Sequence, residues 1–263
     1  MRLNSANINV MVKACSKASK VLIRDFGEIE KLQVGLKGPG DFVTASDKKV
    51  EKILIDELQK ARPNYSILSE ETGEINNNKD EKFRWIIDPI DGTINFLHGV
   101  PHFAISVALE HKGEIISGIV YDPIKNELFS GEKGNGSYLN NQRMRVSGRT
   151  KLEDCIIFTG GPKFKSEDQE KSFEEYIKIS KKIHAPIRKL GSASLDMCYV
   201  AAGRCDGFWQ RNLNYWDIAA GIILVKEAGG FVTDFKGNNE FIKNKNILVT
   251  NSKINDEMIE VLK

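Results

Sequence analysis

Trp85-Ile86-Ile87-Asp88-Pro89-Ile90-Asp91-Gly92-Thr93 is the stretch on which the reading of this chain turns. The apolar run Trp85–Ile87 predicts a buried strand. Proline has no N–H with which to continue a ladder, so the strand is expected to stop at Asp88-Pro89 and the backbone to turn there. Asp88 and Asp91 are thereby set at the tip of a rigid element. Gly92, without a side chain, lets a ligand approach the backbone, and Thr93 adds a hydroxyl. Hard oxygen ligands beside free backbone N–H groups suit Mg²⁺ carrying a phosphate ester. Standing alone, the stretch would read as a strand that ends in a polar turn.

Other segments join it. Upstream lie Asp41-Phe42-Val43-Thr44-Ala45-Ser46-Asp47 and Ser69-Glu70-Glu71; downstream, Trp216-Asp217-Ile218-Ala219-Ala220-Gly221 runs on to Glu227-Ala228-Gly229-Gly230. Each has a plainer reading by itself. Thr44-x-x-Asp47 fits a helix capping box, Glu70-Glu71 an acidic turn, Trp216-Asp217 an Asp-led helix start with Trp216 in the core, and Gly229-Gly230 a helix end. As an ordered set around Asp-Pro-Ile-Asp-Gly-Thr they resemble the inositol monophosphatase family, in its bacterial, SuhB-like branch, from about residue 5 to the C-terminus.

Phosphoryl transfer to water needs the phosphate charge neutralised, a water made nucleophilic and the leaving alkoxide stabilised, which two metals roughly 3.5–4 Å apart can provide. The resemblance implies a Mg²⁺-dependent, Li⁺-sensitive phosphomonoesterase with two to three Mg²⁺ per site. By the same resemblance, Glu70, Asp88 and the Ile90 carbonyl hold the first metal, Asp88, Asp91 and Asp217 the second, and Glu70 helps with a weaker third. Thr93, hydrogen-bonded to Asp47, and Glu70 polarise the attacking water. Gly92 and Thr93 offer N–H groups to the phosphate, and Glu71 supports the shell. Asp91, Gly92, Thr93, Gly191, Ser192, Ala193, Gln210 and Asp217 face the substrate. The implied fold is α+β: a five-layer α-β-α-β-α sandwich of the sugar-phosphatase (inositol monophosphatase/fructose-1,6-bisphosphatase) type, in a homodimer.

Length and charge agree with a compact enzyme. The 263 residues are 41% hydrophobic and carry a formal net charge of only +2. They can bury a full core as one large domain or two fused halves, and no basic arm points to nucleic acid. The Lys-rich stretch 163–182 alternates with Glu and Asp, as a solvated helix face does. No apolar run approaches the roughly 18–20 residues of a membrane span, and no signal peptide is expected. Cys15, Cys155, Cys198 and Cys205 lack zinc or disulfide spacing, so a reducing cytoplasm is expected.

Periodicity predicts helices over 7–26 and from about Thr44 to before Pro63, with a loop at Lys37-Gly38-Pro39-Gly40 between them. An antiparallel sheet follows, with strands at 66–69, 83–88, 103–110, 114–121, 127–130, 137–139 and 143–146, and an exposed loop at Asn76–Asp80. Beyond about residue 150 the pattern alternates: strand 155–159, helix 167–183, strand 187–190, helix 192–203, strand 206–209, helix 216–228, strands 231–234 and 247–250, and a helix from 253. The expected subdomains are 1–147, carrying most metal ligands, and 148–263, joined in one compact unit.

Three alternatives fail on chemistry. Cys198-x5-Arg204 outlines a thiol-phosphatase loop but sits in an apolar, helix-compatible run, so Cys198 reads as a core thiol. Asp88-x-x-Asp91 has one residue too many for an aspartyl-phosphate signature. His98 and His102 are four apart, but Gly99 and Pro101 intervene, which does not suit a helical zinc pair. On substrate, Thr93-Ile94-Asn95-Phe96 matches the inositol-phosphatase pattern, whereas nucleotide-directed relatives carry Lys-Glu at 94–95. Gln210 stands where the family usually has a ring-binding glutamate, and Lys37 falls one position off the family's loop lysine. The expectation is hydrolysis of myo-inositol 1-phosphate or a related polyol or sugar monophosphate. Fructose-1,6-bisphosphatase or histidinol-phosphatase activity, or a SuhB-like role in transcription or RNA processing, are the alternatives.

Overall fold

The computed structural model describes residues 5–29, 34–38, 41–76, 80–161 and 168–263. Helix α1 (Ala6–Phe26) forms because Ile8, Met11, Cys15, Ala18 and Leu22 make one buried stripe and the Ser5 hydroxyl caps the start, accepting from the Ile8 N–H at 3.3 Å. Strands β1 (Val34–Gly38) and β2 (Asp41–Thr44) pair antiparallel as a hairpin where a loop was expected over Lys37–Gly40; Pro39, Gly40 and the Lys37 side chain lie outside the described residues. Helix α2 (Ala45–Ala61) follows. It buries Val50, Leu54 and Leu58 but also Asp47 and Glu51, so polar groups share its inner face.

Next come β3 (Tyr65–Ser69), β4 (Gly73–Ile75), β5 (Asp80–Asp91), the short helix α3 (Thr93–Leu97), β6 (Ala104–His111), β7 (Glu114–Asp122), β8 (Glu127–Glu132), β9 (Gly136–Leu139) and β10 (Gln142–Arg143). Among the described residues these strands form one eight-stranded sheet in the order β10-β9-β8-β7-β6-β5-β3-β4. It is not wholly antiparallel as expected, because β5 returns beside β3 in parallel. The strand expected at 143–146 shrinks to Gln142–Arg143. Asp80, expected in a loop, begins β5, and residues 77–79 lie outside the described set.

The second half holds β11 (Ile157–Thr159), α4 (Gln169–Ser180), α5 (Ala193–Ala201), β12 (Gly207–Arg211), α6 (Tyr215–Glu227), β13 (Phe231–Thr233), α7 (Phe241–Asn244), β14 (Asn246–Thr250) and α8 (Asn255–Leu262). Its four described strands run β11-β12-β14-β13, with only β11 and β12 parallel. In place of the strand expected at 187–190 there is a single bridge from Arg188 to Phe158.

Three apolar clusters stack these elements into layers. Met11, Leu22, Leu54 and Leu58 of α1 and α2 pack on Trp85, Ile87 and Val107 of the large sheet. Leu195, Val200, Ile223 and Leu224 of α5 and α6 fill the space between the large sheet (Ile86, Val120) and the small one (Phe208, Val249). Ile179 of α4 and Met258 of α8 cover the far face of the small sheet at Trp209 and Leu248. The result is helices, sheet, helices, sheet, helices, the expected α+β sandwich. Near residue 147 the connection between halves is pinned by buried Asp206, which accepts from the Ser147 hydroxyl, from Ile156 N–H at 2.8 Å and from Arg149 Nη1 at 3.2 Å.

Candidate active site

β5 does not stop at Asp88. It continues through Pro89 to Asp91, but Asp88 lies opposite Ser106 while Asp91 lies opposite Ala104, so three steps on β5 face two on β6. The extra residue makes a bulge, the one sheet-interior setting in which a proline costs no ladder bond. The bulge aims both carboxylates out of the sheet. Asp88 Oδ1 accepts from Ile90 N–H at 3.0 Å, and the Thr93 hydroxyl donates to the Ile90 carbonyl at 2.8 Å. The Thr93 proton is thus given to Ile90 and not, as the family resemblance implies, to Asp47. A hydroxyl has one proton to give, and here the Ile90 carbonyl takes it.

Other elements bring the remaining carboxylates. Glu70 follows the C-terminal end of β3, with its N–H donating to Ile87 O at 3.3 Å, so it sits beside the strand that carries Asp88. Asp217 is the third residue of α6, and its Oδ2 accepts from Asn214 N–H at 2.7 Å. It is therefore both helix cap and site carboxylate. Asp91 is gripped by the start of α5: its Oδ2 accepts from Ser192 Oγ at 2.6 Å, Ser194 N at 2.7 Å and Ser194 Oγ at 2.5 Å, while Oδ1 accepts only a long 3.3 Å bond from Ala193 N.

These groups open on one cavity of about 390 Å³. Glu70, Asp88, Ile90, Asp91, Gly92 and Thr93 line it from the first half, and Gly191, Ser192, Ala193, Gln210 and Asp217 from the second. Every residue predicted for metal or substrate is present. Asp47 lies behind the lining and is buried. The electrostatics are severe: Asp88 is 2% exposed, and burial together with the charges of Glu70, Asp91, Asp217 and Asp47 pushes its carboxyl far above the usual carboxylate range. Burial also raises Asp91, against the pull of its Ser192 and Ser194 donors.

The donor set is all hard oxygen, which suits Mg²⁺, and the crowded charge calls for a cation. Among the described residues no three His, Cys, Asp or Glu side chains are gathered tightly enough to hold an ion as they stand. Like charges around one cavity have no cause to close on each other, and Asp91 and Asp217 are meanwhile satisfied by protein donors.

The rejected alternatives stay rejected. Cys198 is inside the core on α5, and burial pushes its thiol well up, away from the thiolate a nucleophile needs. All four cysteines are free and buried. The His102 ring lies edge-on to Tyr199, and burial and Lys125 lower its pKa to about 4, so it is a neutral packing residue.

Sequence reasoning missed two supports. Glu51, 3% exposed on α2, accepts from the Ser69 hydroxyl, from Glu71 N at 3.0 Å, Thr72 N at 3.1 Å and Thr72 Oγ1 at 2.5 Å. It holds the turn on both sides of Glu70. Its one local signal is its place one helical turn after Asp47, next to Val50 on the buried face. The second is Asn95, whose Nδ2 donates to both His102 O and Leu190 O at 2.8 Å. Gln210 lies so closely across Gly160 that a Cβ there would stand 2.1 Å from its Oε1.

A two-sheet α+β sandwich with an acidic cleft between its halves defines the class: a fold of the sugar-phosphatase type. Comparison with known proteins narrows it. The sequence model of the inositol monophosphatase family matches residues 4–262. An inositol-1-monophosphatase of Rhizobium meliloti (strain 1021) is 50% identical over 258 residues, covering 98% of this chain and 96% of that protein. Nus factor SuhB of Escherichia coli (strain K12) is 40% identical over 255 residues, covering 96% of this chain and 94% of that protein. The crystal structure of the extragenic suppressor protein SuhB from Bartonella henselae superposes with a TM-score of 0.95 at 49% identity, over 98% of this chain and 99% of that one. The chain belongs to the inositol monophosphatase family.

Proposed function

We propose that the protein is a Mg²⁺-dependent phosphomonoesterase that hydrolyses myo-inositol 1-phosphate or a closely related polyol monophosphate. The observation that carries this reading is Asp88, buried at the β5 bulge with Glu70, Asp91, Asp217 and Asp47 acting on its charge. Mg²⁺ would be held by Glu70, Asp88, the Ile90 carbonyl, Asp91 and Asp217, where it neutralises phosphate charge and activates water. The chain's own contributions follow from their placement. Glu70, on the cavity wall, is the carboxylate to take the proton from an attacking water, while the Thr93 hydroxyl, whose own proton goes to the Ile90 carbonyl, can accept a hydrogen bond that orients that water. Gly92 and Thr93 begin α3, where the N–H groups of a first turn have no intrahelical partner and can meet phosphate oxygens. Gly191, Ser192, Ala193 and Gln210 form the opposite wall, facing the polyol. The relatives' names support the substrate class, since three of them are inositol-1-monophosphatases.

Phosphate release from a panel of polyol, sugar and nucleotide monophosphates, with and without Mg²⁺, tests the reading. Turnover should require Mg²⁺ and fall in millimolar Li⁺; Asp88→Asn should abolish it and Cys198→Ser leave it nearly unchanged. Undiminished rates in excess chelator would defeat the metal chemistry, and a preference for nucleotides would defeat the substrate class. The homodimer is part of the same proposal. Light scattering should give twice the 29.5 kDa chain mass, and a monomer at all concentrations would refute it.

A further inference from the structure

Two left-handed glycines meet at the seam between the halves of the cleft. Gly92 has φ +95° and Gly191 φ +89°, and a Cβ on Gly92 would lie 3.2 Å from the Gly191 carbonyl and 3.1 Å from that of His102. A Cβ on Gly191 would in turn lie 2.9 Å from Asn95 Nδ2. Neither position can carry a side chain, for reasons of both backbone and space. The phosphate-side turn and the polyol-side loop therefore touch backbone to backbone, with no interlocking side chains of their own to set their register.

Two clamps bracket that contact. On one side Asp91 holds Ser192, Ala193 and Ser194. On the other, both protons of the Asn95 amide are committed, one to Leu190 O and one to His102 O, each at 2.8 Å. The amide group is planar and its two N–H bonds diverge at a fixed angle, so the two carbonyls it joins are held at a set separation. One carbonyl precedes Gly191 and the other precedes Phe103, against which Gly92 rests.

We propose that Asn95 is a positioning residue for substrate specificity. Its amide sets the register of the Gly191–Ala193 wall against the Gly92–Thr93 turn, so that a substrate spanning both walls is favoured over a bare phosphate ester. The proposal rests on the phosphatase reading given above. Asn95 touches no substrate in this scheme and acts through the Leu190 and His102 carbonyls. An Asn95→Ala protein should fold, because the Asp91 clamp remains.

The test compares kcat/KM for myo-inositol 1-phosphate with that for p-nitrophenyl phosphate in the Mg²⁺-loaded enzyme, alongside amide hydrogen exchange in a peptide covering 189–194. In Asn95→Ala the ratio of the two constants should fall roughly three- to tenfold, the size of one lost hydrogen bond, mainly through KM for the inositol ester. Exchange across 190–194 should rise. Asn95→Asp keeps the volume but loses both donors, so it should do at least as much damage; if it restores the wild-type ratio, lost packing and not the amide is responsible and the proposal fails. Glu227→Ala removes a remote clamp on Gly134 and Gly136 N–H groups (2.8 Å each) and should leave the ratio alone. An unchanged ratio in Asn95→Ala, or an equal fall in Glu227→Ala, overturns the inference. Should wild-type protein hydrolyse neither ester, the phosphatase reading falls, and unaltered exchange at 190–194 would still reject the clamp by itself.

Discussion

Glu51→Ala is the substitution most telling about how the site is built. The wild-type carboxylate, buried on α2, accepts four donors from Ser69, Glu71 and Thr72, and the residue they enclose is Glu70. Alanine leaves the two hydroxyls free to rotate to other acceptors. The N–H groups of Glu71 and Thr72 cannot rotate. An unsatisfied buried donor costs about 1–3 kcal/mol, but Glu71 is half-buried and Thr72 exposed, so water takes up part of the loss and the pair costs about 2 kcal/mol. At about 2–4 °C per kcal/mol for a chain of this size, the melting temperature should drop by about 4–8 °C. Glu51→Gln should fall between the two, since its oxygen can keep the N–H bonds while its amide nitrogen turns a donor toward the Thr72 hydroxyl, which can reverse to accept.

Thermal unfolding followed by circular dichroism reads this directly, and the same melts with and without Mg²⁺ read the consequence for the site. A ligand that binds only the folded state raises its stability. Mg²⁺ should therefore stabilise wild-type protein and stabilise Glu51→Ala less, because Glu70 is no longer held in place. Glu57→Ala is the control: that residue's salt bridge to Lys17 (2.6 Å) joins α2 to α1 at the surface, where solvent screening leaves such pairs little effect on stability. A Glu51→Ala protein melting within 2–3 °C of wild type, with its full Mg²⁺ response, would refute the reasoning.

Two further outcomes concern polar side chains of the second half. Asp196, on α5, is fully buried with neither carboxylate oxygen hydrogen-bonded, and burial together with the Asp91 charge pushes its pKa well up. Its stabilising contribution is thus complete below the unfolded carboxylate pKa, about 4, and is lost as pH rises toward the folded value, by up to about 1.4 kcal/mol per pH unit. Asp196→Asn should match wild type near pH 4 and melt higher at pH 7–8, and parallel melting curves across that range would count against it. Gln210→Glu should raise kcat/KM for myo-inositol 1-phosphate several-fold relative to p-nitrophenyl phosphate, since a charge-assisted hydrogen bond exceeds a neutral one by roughly 1 kcal/mol; an unchanged ratio would mean that position 210 does not meet the polyol.

The parts of this molecule legible in its sequence are those whose causes are local. The stripe from Ile8 to Leu22 declares α1, and the His111-Lys112-Gly113 turn declares the β6–β7 hairpin, because spacing and turn chemistry act within a few residues. The bulge at Asp88–Asp91 was half legible. Pro89 announces that the ladder is disturbed, but only Ser106 and Ala104, on a strand formed later in the chain, decide that pairing resumes instead of ending. The site divides the same way. Asp88 and Asp91 stand out because one short segment carries both, whereas Glu51 is one glutamate in a Lys-rich helix and Asn95, though part of the family pattern Thr93–Phe96, gives no local sign of what its amide holds. Their meaning lies in partners 18–21 and up to 95 residues away.

That asymmetry has a physical origin. A carboxylate that is to meet a cation can be recognised from its own chemistry, since hard oxygen ligands in number imply a hard ion. A residue that positions another works through backbone carbonyls and N–H groups, which every residue possesses and no sequence distinguishes. Glu51 acts on the N–H groups of Glu71 and Thr72, and Asn95 on the carbonyls of Leu190 and His102. For these backbone contacts the identity of the partner residue is nearly irrelevant and its place in the fold is everything; only the Ser69 and Thr72 hydroxyls that also meet Glu51 depend on the side chain. A substitution at Leu190 that keeps an apolar side chain should therefore be far better tolerated than one at Asn95, although the contact joins one residue of either kind.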